Sequence, residues 1–121
     1  MAKTVLVIED EPNIIEAISF ILSREGWHVR THSDGATALE AILREVPHLV
    51  MLDVMLPNRS GFDILRDLRA HPETSALPVL MLTAKGQSKD RELAESYGVS
   101  HFMTKPFSNA EILDRVRELG G

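Results

Sequence analysis

Leu49-Val50-Met51-Leu52 is an unbroken apolar run that ends in a single carboxylate, Asp53, and Pro57 stops the segment soon after. No other stretch of the chain narrows its fold as much. A short continuous apolar segment bounded by breakers reads as a strand buried on both faces, the habit of parallel sheets covered by helices. Asp53 then stands where the strand emerges, and in open α/β sheets ligands bind beyond that carboxyl end. Taken alone, Asp53 reads more simply as the cap of a turn before Pro57. Residues elsewhere in the chain reverse that preference.

The first strand is Val5-Leu6-Val7-Ile8, rich in β-branched residues, and it ends abruptly in Glu9-Asp10-Glu11-Pro12. Pro12 suits the first turn of a helix, where its missing N–H costs nothing. Ile14, Ile18, Ile21 and Leu22 follow at helical spacing until Gly26. Trp27, Val29 and Thr31 alternate with His28 and Arg30, the pattern of a half-exposed strand. Ser33-Asp34-Gly35 opens a second helix with Leu39, Ile42 and Leu43 inward and Pro47 past its end. After the central strand, Asn58-Arg59-Ser60-Gly61 is a loop, and Phe62, Leu65 and Leu68 form the stripe of a third helix.

A polar linker from His71 to Ala76 leads through Pro78 to Val79-Leu80-Met81-Leu82, a fully apolar strand ending at Thr83. Gly86 through Asp90 reads as loop. Leu93, Ala94 and Tyr97 mark one face of a short helix closed by Gly98. His101-Phe102-Met103-Thr104 is a short strand ending at Lys105-Pro106, and the last helix runs from Glu111 to Leu119 with Ile112, Leu113, Val116 and Leu119 inward.

Five strands alternating with five helices predict an α/β domain, a doubly wound parallel sheet of the flavodoxin-like (βα)5 type. Strands one, three and four are continuously apolar and belong in the centre; strands two and five are mixed or short and belong at the edges. The order 2-1-3-4-5 meets both demands, and its switch point lies between the strands that end in Asp10 and Asp53. At 121 residues the chain fits one domain, residues 1–121. A net charge of −5 with no basic run argues against nucleic-acid binding by this segment. The lack of cysteine excludes disulfides, thiolate catalysis and cysteine-held metals. The apolar run after Met1-Ala2-Lys3-Thr4 is too short for a signal peptide or membrane span, so a cytoplasmic protein is expected.

Glu9, Asp10, Asp53, Thr83 and Lys105 all fall at or just past strand carboxyl ends, so the predicted fold gathers them into one pocket. Two carboxylates about 4 Å apart repel by roughly 4 kcal/mol at an effective dielectric near 20. Either a pKa rises or a cation neutralises the group. An all-oxygen cluster suits Mg²⁺. A phosphate-binding loop would need glycines and free N–H groups where this chain has Glu-Asp-Glu-Pro, which argues against a nucleotide or flavin site. A phosphoryl group could approach only with a metal, Lys105 and Thr83 compensating, an arrangement in which a carboxylate becomes the nucleophile. Each residue also has a plainer reading, as surface lysine, strand-end hydroxyl or solvated helix N-terminus; five such coincidences at four strand ends are far less probable.

These motifs, over essentially the whole chain, resemble the receiver domains of two-component response regulators of the chemotaxis type. The acidic pair is Glu9-Asp10, the acceptor with its Pro-x-x-x-Gly is Asp53, Pro57 and Gly61, the hydroxyl is Thr83 followed by Ala84, and the Lys-Pro pair is Lys105-Pro106 followed by Phe107. The resemblance implies that Asp53 takes a phosphoryl group from a histidine kinase or phosphotransfer protein. It implies Mg²⁺ held by Asp10, Asp53 and the Met55 backbone carbonyl, with Glu9 acting through water. It further implies Lys105 on the phosphoryl oxygens, Thr83 and the Ala84 backbone at the same group, Phe102 as aromatic switch, and a cis peptide before Pro106.

Phosphorylation then biases the face of helix four, strand five and helix five toward an active state. The output passes to an effector protein or a fused output domain, and no external substrate is turned over. Lys89, Arg91, Glu92, Glu111 and Arg115 alternate in sign and are similar to the homodimer face of receivers joined to winged-helix domains, although Ser100-His101 stands where those usually carry two aspartates; a solvated, charged surface is the equal alternative. Met55 and Lys85 occupy the positions that tune dephosphorylation in the family; an apolar Met55 cannot position water as an amide can, so a slowly hydrolysed phosphoaspartate is expected. Two rival readings are a phosphorylation-independent adaptor and an Asp-nucleophile phosphatase. Asp10-Glu11-Pro12-Asn13 lacks the Asp-x-Asp-x-Thr/Val pattern of the haloacid-dehalogenase phosphatases, and the intact residue set argues against the adaptor.

Overall fold

The structure, a computed structural model, describes residues 2–84 and 88–120. In chain order its elements are β1 (Thr4–Ile8), α1 (Pro12–Arg24), β2 (His28–His32), α2 (Gly35–Glu45), β3 (Leu49–Asp53), α3 (Gly61–Ala70), β4 (Val79–Thr83), α4 (Ser88–Ser96), β5 (His101–Thr104) and α5 (Asn109–Leu119). All strands pair in parallel in the order β2-β1-β3-β4-β5, as the distribution of apolar residues requires. β3 and β4 are buried at every position, whereas β2 is largely exposed, the difference between a central and an edge strand.

The two-residue period of the strands splits the core in two. Leu6, Ile8, Val50, Leu52, Val79 and Met81 point to the side covered by Ala38, Ala41 and Ile42 of α2, Ile64, Leu65 and Leu68 of α3, and Ala94 of α4. Val5, Val7, Leu49, Met51, Leu80, Leu82 and Met103 point to the other side, against Ile18, Ile21 and Leu22 of α1 and Ile112 and Val116 of α5. Three helices on one face and two on the other leave the carboxyl ends of β1, β3, β4 and β5 open at one rim. Trp27 is buried at the opposite rim, where it approaches Gly120.

Several boundaries and faces differ from the sequence expectation. α4 already includes Ser88 to Asp90, placed in the preceding loop by composition, and α5 begins at Asn109, two residues before Glu111, because Ser108 caps it. A capping box closes that start: Ser108 Oγ accepts the Glu111 N–H at 3.1 Å while the Ser108 N–H reaches Glu111 Oε1 at 3.5 Å. Leu93 is exposed and Ala94 carries the packing of α4, so that helix buries a narrower stripe than its leucine suggests. In α2 the fully buried face is Ala38, Ala41 and Ile42, with Leu39 and Leu43 only partly covered. α1 ends as expected at Gly26, whose φ of +94° lets the Gly26 and Trp27 N–H groups turn back onto Ser23 and Leu22. α2 instead ends on Val46 at φ +45°, a conformation unfavourable for a β-branched residue.

Candidate functional site

Each acidic residue is delivered to the rim by a strand end. Glu9 follows β1, and its backbone N–H donates to the His32 carbonyl at 3.0 Å, so the sheet's hydrogen bonding runs one residue past the strand and turns the side chain inward. The Glu9 carboxylate is fully buried, and its Oε2 accepts the N–H groups of Asp10 at 3.0 Å and Glu11 at 3.3 Å. Asp53 is the last residue of β3 and is 2% exposed. Asp10 is exposed at the mouth. Oxygens of Glu9, Asp10 and Asp53 lie within 4.8 Å of one another, close enough for one cation to touch all three.

Lys105 reaches into this group from the end of β5. Its Nζ is 2.7 Å from Glu9 Oε1, 3.3 Å from Asp53 Oδ1 and 3.8 Å from Glu11 Oε1. The ammonium meets Glu9 Oε1 by charge but outside hydrogen-bond geometry, so that buried oxygen has no directed donor. Burial pushes the Asp53 carboxyl up to about 7, the neighbouring Glu9 carboxylate adds to the rise, and Lys105 only partly opposes it. Glu9 moves the other way: burial alone would raise it, but Lys105 and the contact with Asp53 hold it below the usual carboxylate range. Lys105 is likewise held charged by its carboxylates against the cost of burial. Of the buried pair, Asp53 is therefore the first to take up a proton as pH falls through neutrality, while Glu9 stays ionised.

That electrostatic state shows what the pocket would accept. With Asp53 ionised, one lysine does not neutralise the three carboxylates of Glu9, Asp10 and Asp53, and every available ligand atom is a hard oxygen. The donor set fits a small divalent cation of the Mg²⁺ class.

The loop that follows Asp53 is braced by two close approaches. A Cβ on Gly61 would lie 2.2 Å from the Asp53 carbonyl oxygen, and the Gly61 N–H donates to the Val54 carbonyl at 3.0 Å. A Cβ on Gly35 would lie 2.3 Å from the Arg59 carbonyl oxygen, and the Gly35 N–H donates to the Pro57 carbonyl at 3.0 Å. Asp34 completes the brace, accepting the Ala36 N–H and the Asn58 side-chain amide, both at 2.9 Å. The start of α2 thus holds the loop that carries Met55, Pro57 and Asn58.

Thr83 is buried at the end of β4, opposite Thr104, and its carbonyl accepts the Lys105 N–H at 2.7 Å. Ala84 is exposed beside it. The Lys105–Pro106 peptide is cis. Phe102 is half-buried on the α2–α3–α4 side of the sheet, with the Arg91 guanidinium 5.8 Å from its ring centroid. Met55 lies in the braced loop with its side chain exposed. Lys85 lies outside the described residues. Of the charged residues singled out on α4 and α5, Lys89, Arg91, Glu92 and Glu111 are exposed, Glu111 is engaged in the capping box, and Arg115 pairs with Glu118 at 2.8 Å. His101 meets the same Glu118 at 2.8 Å. Glu11 was not anticipated at the site. Its place as third in the run Glu9-Asp10-Glu11 was the available signal, obscured because Glu11 also reads as an ordinary acidic residue before a helix.

Known proteins resemble this chain in both sequence and structure. Residues 5–117 match the response regulator receiver domain family. The chain is 47% identical over 116 residues to "Probable transcriptional regulatory protein TcrX" of Mycobacterium tuberculosis, a match covering 96% of this chain and 49% of that protein. It thus spans about half the length of that curated relative. The BeF3-activated N-terminal receiver domain of RstA from Klebsiella pneumoniae superposes with a TM-score of 0.89 at 31% identity, over 96% of this chain and 97% of that one. The receiver domain of a sensor histidine kinase from Pseudomonas aeruginosa, solved with a magnesium ion coordinated in its active-site cleft, gives a TM-score of 0.89 at 27% identity over 98% of both chains. No described helix is long and apolar enough to cross a membrane.

Proposed function

The chain belongs to the response regulator receiver domain family, and from that premise we propose that it is a signalling switch phosphorylated on Asp53 by a histidine kinase or phosphotransfer protein. One observation carries the reading: Asp53 is buried at a strand end with Lys105 Nζ 3.3 Å from its carboxylate and Glu9 beside it, a nucleophile already set against the cation that a phosphoryl group needs.

Asp10 and Asp53 would hold Mg²⁺ with the Met55 backbone carbonyl. Glu9 would act through water, since the Lys105 ammonium stands against its Oε1 and two backbone N–H groups donate to its Oε2. The ion supplies charge neutralisation to the phosphoryl oxygens. With that charge in place the Asp53 carboxyl would give up its proton to solvent; an Asp53 oxygen then attacks phosphorus in line, the bond from phosphorus to the donor nitrogen breaks, and the nitrogen keeps the electron pair. Lys105 then exchanges Asp53 for the new phosphoryl oxygens while retaining Glu9. Thr83 and the Ala84 N–H turn toward the same group, and Phe102 follows into the space Thr83 leaves. The result is a shifted population of the α4–β5–α5 face, in which about 1.4 kcal/mol changes the ratio of states tenfold.

The switch works in the cytoplasm on itself and turns over no external substrate. Its output goes to a fused domain or a separate effector, and self-association through Lys89, Arg91, Glu92, Glu111 and Arg115 follows phosphorylation. A fused transcriptional output is in keeping with the longer relative.

Intact mass after incubation with acetyl phosphate and Mg²⁺, and with a phosphorylated histidine kinase, tests the reading. A single phosphoryl adduct on the parent chain, absent without Mg²⁺ and absent in Asp53→Ala, is the expected result. A folded parent that takes no adduct from either donor would overturn it.

A further inference from the structure

Glu11 occupies the N-cap of α1, yet its side chain caps nothing there. An N-cap favours a short side chain that can fold back onto the first N–H groups, so helix stability gives little reason for glutamate at this position. Its carboxylate instead extends to 3.8 Å from Lys105 Nζ, the ammonium that also faces Asp53. The Glu11 side chain is 60% exposed while that of Lys105 is 10% exposed, so Glu11 stands on the solvent side of the lysine, at the mouth.

We propose that Glu11 is a specificity-determining residue that disfavours small phosphodonors in proportion to their negative charge. The inference rests on the phosphoryl-accepting reading of Asp53. In either donor reaction an Asp53 oxygen bonds to phosphorus; acetate leaves acetyl phosphate with the P–O electron pair, and ammonia leaves phosphoramidate with the P–N pair once the nitrogen is protonated. Acetyl phosphate approaches as a dianion and phosphoramidate with one negative charge fewer. A carboxylate at the mouth repels the first more strongly, and it also competes with both for Lys105. Substitution leaves Lys105 with Glu9 and Asp53 as partners, and the Glu11 backbone N–H still reaches Glu9, so the pocket keeps its shape.

The test compares phosphorylation of the parent chain, Glu11→Gln and Glu11→Asp by each donor in Mg²⁺, followed by intact mass, alongside the Mg²⁺ affinity of each protein by calorimetry. Glu11→Gln should raise the acetyl phosphate rate about fivefold and the phosphoramidate rate about twofold at low salt, with the difference closing near about 0.5 M salt. The gain should appear at subsaturating donor, Glu11→Asp, which keeps the charge but not the reach to Lys105, should fall between the parent and Glu11→Gln, and Mg²⁺ affinity in Glu11→Gln should change by less than about threefold. Equal effects on the two donors, or effects indifferent to salt, would overturn the inference while leaving the switch intact. A parent that accepts no phosphoryl group from these donors or from a kinase overturns the switch reading itself, and this inference with it.

Discussion

Lys105 stands closer to Glu9 than to Asp53, 2.7 Å against 3.3 Å, although Asp53 is the residue at the strand end the pocket surrounds. The lysine is therefore anchored on the carboxylate that stays ionised and shared with the one whose carboxyl burial pushes up to about 7. It has two functions in one position: it neutralises a buried charge and stands beside the carboxyl proposed to accept the phosphoryl group.

Removing the ammonium should consequently cost stability as well as signalling. Lys105→Met leaves Glu9 buried with no cation, an uncompensated charge worth about 3 kcal/mol. Urea denaturation of the variant without metal should show that loss, and added Mg²⁺ should recover part of it. A variant as stable as the parent in the absence of metal would mean the ammonium is not what neutralises Glu9.

The protonation of Asp53 makes a second prediction with a definite sign. Its folded pKa, about 7, lies above the ordinary 3.8, so the native state binds a proton that the unfolded state releases. Such a group contributes fully below the lower value, and stability falls as pH rises from about 4 to 7, by about 2–4 kcal/mol, then levels off. Asp53→Asn removes the titration. The parent should lose stability relative to this variant between pH 4 and 7 when metal is absent, and Mg²⁺ should close the gap at pH 8. Parallel stability curves for the two proteins would contradict the raised value.

How much of this was legible beforehand depends on what each feature rests upon. Strand order followed from apolar runs, because a strand covered on both faces has no polar positions to disguise it. The pocket followed from topology, since parallel strands bring all their carboxyl ends to one rim. Helix starts were less readable: Ser88 and Ser108 sit in polar sequence, and only the hydrogen bonds of α5 reveal that Ser108 rather than Glu111 begins it. The contact between Glu11 and Lys105 joins residues 94 positions apart through side-chain reach, which no periodicity encodes. Val46 gave no warning of its backbone conformation.

Gly61 is a sharper case, because its role is steric. A Cβ there would meet the Asp53 carbonyl oxygen at 2.2 Å, and backbone cannot yield as a side-chain tip can. Gly61→Ala should destabilise by about 2–4 kcal/mol and displace the loop behind Asp53. Gly26→Ala is the comparison: it has open space but a φ of +94°, so only the conformational cost of about 1 kcal/mol applies. Chemical denaturation should rank the two in that order, with Mg²⁺ affinity reduced only in Gly61→Ala. Equal losses would show that the approach to Asp53 is not the constraint.

Val46 inverts that logic. It closes α2 at φ +45° with its side chain 73% exposed, so it bears the strain of a left-handed β-branched residue and buries little in return. The left-handed region costs such a residue about 1–2 kcal/mol, and glycine there avoids that strain but loses about 0.5–1 kcal/mol of chain entropy on folding. The difference favours the variant. Val46→Gly should raise stability by about 0.5–1 kcal/mol, read as a higher urea midpoint at unchanged slope, with Mg²⁺ binding at the opposite rim unaltered. A lower midpoint would mean that the exposed valine makes packing contacts worth more than the strain of its backbone.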